Sequence, residues 1–156
     1  MVKEGDKAPA FELARDGGAK VKLSQFKGKP VVLYFYPKDD TSGCTKEAVG
    51  FSEKIVDFQK IGTEVIGISP DGVKSHEKFR DKHGLKVILL ADEEKKAIEA
   101  YGVWAEKKMY GRTYMGVDRS TFLIGPDGKI KRVWRGVKVP GHVEEVLEAT
   151  KAINAS

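Results

Sequence analysis

Val31-Val32-Leu33-Tyr34-Phe35-Tyr36-Pro37-Lys38-Asp39-Asp40-Thr41-Ser42-Gly43-Cys44 runs from an apolar segment through a polar turn to the only cysteine of the 156-residue chain. Val31 to Tyr36 is an unbroken β-branched and aromatic run with the length of a buried strand, and Pro37 ends it by removing a ladder donor. Beyond the turn, Ala48, Phe51, Ile55 and Phe58 recur at spacings of three and four. This predicts one amphipathic helix with Cys44 on its first turn. Unpaired N–H groups and the positive end of the helix dipole there favour a thiolate over a thiol.

Placement at a helix terminus is not enough to make a catalyst. Taking a thiol from a pKa of about 8.5 to about 6 requires roughly 3.4 kcal/mol of anion stabilisation, whereas a helix end supplies about 0.3 to 1 and at best about 2. The thiolate fraction gained is largely cancelled by lower intrinsic nucleophilicity. A second positive group is therefore required, together with donors aimed at the substrate in the transition state. Thr41, three residues before the thiol, is one candidate donor; it is equally suited to be an N-cap or turn residue.

The remainder of the chain reads as alternating strands and helices. Residues 11 to 23 predict a hairpin turning at Asp16-Gly17-Gly18, and Thr63 to Ser69 a second β-rich run. A helix is expected over Val73 to His83, stopped by Gly84, then a strand at Val87 to Leu90 and a helix at about Glu93 to Tyr101. Gly102 to Asp118 lacks periodicity and predicts a long loop over the body. Arg119 to Ile124 and Lys129 to Trp134 predict a hairpin around Pro126-Asp127-Gly128, and Val143 to Ile153 a closing helix. The expectation is one α/β domain over residues 1–156 with a mixed sheet.

Composition excludes several classes. A single cysteine rules out an internal disulfide framework, a Cys-x-x-Cys redox site and a Cys-rich zinc site. The net charge of +5 is interspersed, as in Glu93-Glu94-Lys95-Lys96, and reads as solvated surface rather than a nucleic-acid site. The densest basic run, Lys129 to Arg135, alternates with apolar residues as a strand with one exposed face would. Its aromatic would also suit nucleic acid, but one strand is a small footprint. The amino terminus has no apolar h-region and no stretch reaches the length of a membrane span, so a cytoplasmic location is the default expectation. No nucleotide-binding motif is present and no cofactor is implied.

Pro37, Thr41 and Cys44 reproduce the Pro-x-x-x-Thr-x-x-Cys signature of peroxiredoxins, with Glu47 three residues beyond the cysteine. Gly5-Asp6-Lys7-Ala8-Pro9-Ala10-Phe11, Gly28 to Pro37 and Arg119-Ser120-Thr121-Phe122-Leu123-Ile124 resemble the bacterioferritin comigratory, or Q-type, branch, over about residues 3 to 150. The resemblance implies a thioredoxin-like fold with an amino-terminal β-hairpin. It also implies a thiol peroxidase acting on hydrogen peroxide or an alkyl hydroperoxide, and mildly favours a monomer. Of the six arginines it selects Arg119 to hold the sulfur and a peroxide oxygen. It makes the Thr41 hydroxyl a donor to thiolate or peroxide, and Pro37 a packing group that limits water. Backbone N–H groups near Gly43 and Cys44 would steady the developing charge on oxygen. Glu47 is either a favourable first-turn carboxylate or the residue orienting Arg119.

Two departures bear on the cycle. Val49 stands where many members of the branch carry a resolving cysteine, and Arg80 where others carry it in the next helix; Ser42 replaces a common proline. The implied cycle therefore uses one cysteine and an external thiol: thioredoxin, glutaredoxin or a small thiol. The same oxidation could instead serve a peroxide sensor or a redox-regulated binding module, or the thiol could be incidental to a basic interaction domain. His76 and His83, seven apart on one predicted helix, read as an exposed face rather than metal ligands, and His142 as a surface or capping residue. Trp104 and Trp134 read as packing aromatics.

Overall fold

A computed structural model describes residues 2–154. The predicted β-rich run is strand β3 (Val31–Phe35), and all five of its residues are buried. That is why it reads as continuously apolar: both faces of the strand are covered. Strands β4 (Glu64–Ser69) and β5 (Ile88–Ala91) extend from it in parallel, and β8 (Ser120–Ile124) and β9 (Ile130–Trp134) follow antiparallel on its other side. The expected amino-terminal hairpin, β1 (Glu12–Arg15) with β2 (Lys20–Lys22), pairs antiparallel with β5. The result is a seven-stranded mixed sheet in the order β2-β1-β5-β4-β3-β8-β9.

Alternate residues of the central strands feed two cores. Leu33, Phe35, Ile66, Ile68 and Phe122 pack on one face with Ile98 and Tyr101, while Val32, Tyr34, Val65 and Leu123 pack on the other with Phe51, Phe58, Phe79 and Val146. The second face carries helices α1 (Ser42–Glu53), α2 (Ile55–Lys60), α3 (Val73–His83) and α5 (His142–Asn154). Helix α4 (Lys96–Ala100) lies over the first. Gly84, in the left-handed conformation at φ +60°, closes α3 as the sequence predicts.

Three expectations need correction. The helix after Cys44 is not continuous to Phe58: Lys54 breaks it, its N–H shared among the carbonyls of Gly50, Phe51 and Ser52, and α2 resumes at Ile55. The helix expected from Glu93 begins only at Lys96, because the Asp92 carboxylate accepts the N–H groups of Lys96 and Ile98 and turns the preceding residues into its cap. Gly102 to Asp118 is not a loop. It forms a separate two-stranded arm, β6 (Trp104–Met109) with β7 (Arg112–Val117), closed by Tyr110 and Gly111, both at positive φ as a two-residue hairpin turn requires.

Packing beneath α1 depends on one missing side chain. A Cβ on Gly67 of β4 would stand 2.7 Å from Cζ of Tyr34, whose ring is held between Tyr36 and Phe51 at centroid distances of 5.6 and 4.8 Å. Gly67→Ala should therefore cost about 1–3 kcal/mol in chemical denaturation, the usual penalty of overpacking. The Tyr34 hydroxyl is buried without a hydrogen-bond partner among the described residues, so Tyr34→Phe should be neutral or stabilising in the same measurement.

Candidate active site

Strand β3 delivers the chain to the site, and the turn that follows is bolted to α3. Asp39 is buried, its Oδ1 accepting from the Tyr36 hydroxyl at 2.6 Å and its Oδ2 from Ser75 at 2.7 Å. His76 lies against the same carboxylate, with Nδ1 2.7 Å from Asp39 Oδ2 and Nε2 2.9 Å from the carbonyl of Leu90. Both ring nitrogens face acceptors, an arrangement that only the doubly protonated imidazolium satisfies. Asp71 accepts the N–H of Asp39 at 2.8 Å, and Asp40 takes Lys82 and His83 at 2.7 and 2.8 Å. His76 is thus not on an exposed face, as its spacing from His83 suggested; it is fully buried.

From this anchored turn, Thr41 enters α1 with extended backbone and no side-chain cap, its hydroxyl donating to the carbonyl of Lys38 at 2.8 Å. Its one proton is therefore committed within the turn. Pro37 is half-buried where the strand ends. Cys44 is the third residue of α1 and only 1% exposed. Burial alone would suit an inert core thiol, but the Arg119 guanidinium reaches it: Nη2 donates to Cys44 Sγ at 3.2 Å, and Nη1 to Glu47 Oε1 at 2.6 Å. The other Glu47 oxygen is buried with no partner among the described residues. A Cβ on Gly43 would meet Arg119 Nη2 at 3.1 Å, so the glycine leaves room for the guanidinium over the first turn.

Electrostatics follow from that geometry. Burial pushes the Glu47 carboxyl up to about 7, although the charge and hydrogen bond of Arg119 pull the other way. Burial works against the Arg119 charge as well, yet Glu47 and Cys44 more than offset it and hold its pKa above the usual range. Lys107 on β6, half-buried beside exposed Glu106 and Lys108, is lowered by burial, while the charges of Asp118 and Cys44 oppose the shift.

The structure brings Cys44, Glu47, Arg119 and Gly43 together, with Pro37 and Thr41 at the entrance to α1. Sequence reasoning missed the clamp of Asp39, Ser75 and His76, and nothing in the local pattern marks Lys107. His142 is also not a surface residue: it is buried at the start of α5, 2.8 Å from Thr121 Oγ1, and burial lowers its pKa to about 4. Arg80, where a resolving cysteine would stand, is a tether. It binds the Asp16 carboxylate and the carbonyls of Leu85 and Val87. Val49 is half-buried against the apolar core.

A family model described as the AhpC/TSA family matches residues 4–133. Peroxiredoxin Bcp of Bacillus subtilis (strain 168) is 49% identical over 150 residues, 96% of each chain, and Peroxiredoxin Bcp of Escherichia coli (strain K12) is 41% identical over the same lengths. The solved bacterioferritin comigratory protein of Xanthomonas campestris has a TM-score of 0.88 at 41% identity and 92% coverage of each chain. A cysteine-to-serine mutant of PrxQ from Xylella fastidiosa has a TM-score of 0.93 at 40% identity and 97% coverage of each. The chain belongs to the AhpC/TSA family and, within it, to the peroxiredoxins. Its relatives are those of the bacterioferritin comigratory, or Q-type, branch, and its helix-flanked mixed sheet is their thioredoxin-like fold, as the motifs implied.

Two outcomes test the geometry. The pKa of His76 is raised above its ordinary 6.5: burial opposes the charge, but Asp39 and the Leu90 carbonyl outweigh it. A raised histidine stabilises fully below its unfolded pKa and loses that contribution as pH climbs through the folded value. Urea midpoints should therefore fall as pH rises above the ordinary 6.5, and Asp39→Asn should start lower and fall less. Gly43→Ala should displace the guanidinium from the sulfur and slow peroxide reduction by about 10²-fold, in line with loss of one charge-stabilising donor, with little change in the denaturation midpoint.

Proposed function

We propose that Cys44 is the peroxide-reducing thiol of this peroxiredoxin, acting as a thiol peroxidase in a single-cysteine cycle. The observation that carries this reading is the Cys44 sulfur held at 3.2 Å by an arginine that Glu47 pins from the other side at 2.6 Å, on the first turn of a helix. Arg119 supplies the second positive group that the helix end lacks. The thiolate attacks the hydroxyl-bearing oxygen of hydrogen peroxide or an organic hydroperoxide. As the S–O bond forms and the O–O bond breaks, water or an alcohol leaves with one added proton and sulfur becomes a sulfenic acid. Reduction of alkyl peroxides is the activity named for the Xanthomonas campestris relative, which supports the organic substrate class.

Arg119 and the N–H groups at Gly43 and Cys44 steady the charge growing on the oxygens. Pro37 shields the sulfur from water, and Thr41, its own proton donated to Lys38, serves the peroxide as an acceptor for the O–H rather than as a donor. With no second thiol in the chain, the sulfenic acid is reduced by an external thiol, of thioredoxin, glutaredoxin or a small molecule. The protein acts as a monomer in the cytoplasm, where such thiols are kept reduced. A sensor using the same chemistry would oxidise once; sustained peroxide consumption with excess dithiol is the discriminating result.

Waiting for an external thiol exposes the sulfenic acid to a second peroxide. Val49→Cys restores a thiol five residues along α1, where ideal helix geometry puts the two Cα atoms about 8.6 Å apart, beyond the roughly 7 Å a disulfide spans. In a peroxide titration read by intact mass without reductant, wild type should gain one oxygen and then a second. Val49→Cys should instead yield a disulfide with less sulfinic acid, provided the first turns of α1 open. Equal over-oxidation in both, with no disulfide, would remove Val49 as the limit on this cycle.

A further inference from the structure

One guanidinium serves two buried acids. Cys44 is 1% exposed and Glu47 0%, and Arg119 holds Sγ through Nη2 and Oε1 through Nη1. If both were ionised, the enclosure would carry two negative charges against one positive, and Glu47 Oε2 would be an anionic oxygen without a donor. If both were neutral, the guanidinium would be a partly buried cation with no counter-charge among its hydrogen-bond partners. Charge balance is reached when one of the two acids keeps a proton. Two carboxyls sharing a site behave in the same way, and the titration then belongs to the pair.

None of the other groups facing this pair gives Glu47 Oε2 a donor among the described residues. Tyr34 reaches toward it from β3; its pKa is driven well above its usual range by burial and then by Glu47 and Cys44, so its hydroxyl stays neutral. His142 of α5, near Arg119, is neutral at physiological pH because burial lowers it to about 4. Lys107 of β6 approaches from the arm with its charge on the sulfur's side, which favours the thiolate, and it makes no hydrogen bond with Glu47 among the described residues, so the carboxyl is the acid left to keep the proton.

We propose that Cys44 and Glu47 share one proton, with Glu47 the proton reservoir of the step, holding it while the sulfur is ionised and giving it up when the peroxide bond breaks. This rests on the reading of Cys44 as the peroxide-reducing thiol. The step balances: thiolate, carboxylic acid and ROOH become sulfenic acid, carboxylate and ROH. Sulfur loses two electrons to the O–O bond, its new oxygen keeps its own hydrogen, and the carboxyl proton ends on the leaving oxygen. Once the sulfur is a neutral sulfenic acid, Arg119 has only Glu47 to pair with, which is why the carboxyl lets go. Turnover at neutral pH then draws no proton from bulk water in this half-reaction.

The test is an oxidised-minus-reduced infrared difference spectrum at about pH 7, taken with one equivalent of hydrogen peroxide and with intact mass on the same sample. Wild type should lose a protonated-carboxyl band and gain a carboxylate band, and Glu47→Gln should lack both changes. In parallel, carbon NMR of the labelled Glu47 side chain should find its proton affinity about tenfold lower in Cys44→Ser, where the competing anion is gone, a shift that a purely structural glutamate would not make. A protein that gains one oxygen with no carboxyl change, or an unmoved Glu47 titration in Cys44→Ser, overturns the shared proton alone. Failure to gain the oxygen overturns the reading of Cys44 and this inference with it.

Discussion

Everything in the site is arranged around where the Arg119 guanidinium can stand. Strand β8 pairs antiparallel with β3 so that Ser120 lies opposite Phe35, and the residue before Ser120 therefore sits where β3 releases the chain toward Cys44. The carbonyl of Arg119 is in turn held by the N–H of Val137 at 2.9 Å. A slip of one residue in this pairing would exchange the two faces of β8, forcing Phe122 and Leu123 into each other's cores and displacing the arginine. The register that buries Val32 and Leu33 is thus the register that brings a cation to the sulfur, and selection on the core protects the chemistry.

The turn ahead of Cys44 meets the opposite demand. It must expose the first N–H groups of α1 to the site, so it cannot be stabilised by covering that end. Its stability comes from the rear, where Asp39 gathers Tyr36, Ser75 and His76 and Asp71 takes the backbone N–H of Asp39. A buried ionic cluster is costly unless every lone pair is used, and here the Asp39 oxygens and both His76 nitrogens are used. Asp40, at φ +59°, adds a strained conformation in the same turn, held by Lys82 and His83.

How much of this was legible depends on whether the signal is local. The continuous run from Val31 and the polar turn to Cys44 announce themselves, because burial on both faces and a helix start leave direct compositional marks. Arg119 does not: nothing about an arginine at a strand end distinguishes it from the other five, and only the motif resemblance chose it. The β6–β7 arm escaped because period-two alternation is visible only when one face is buried, whereas Lys108, Met109, Thr113, Tyr114 and Met115 are all exposed. His76 was misread for a related reason. Its acceptors are on the loop before α1 and on β5, and a helix-spacing argument sees only its own helix.

Arg80 shows how a position can change its employment. By holding Asp16, Leu85 and Val87 at once, it ties the amino-terminal hairpin, α3 and the approach to β5 into one block. In a chain with a thiol at that place, oxidation would supply a covalent pull able to drag the helix open. Here the pull has no anchor, because sulfur chemistry at Cys44 has nothing to grip on α3. What the tether secures instead is the back of the molecule, which stays fastened to the sheet whatever happens at the front.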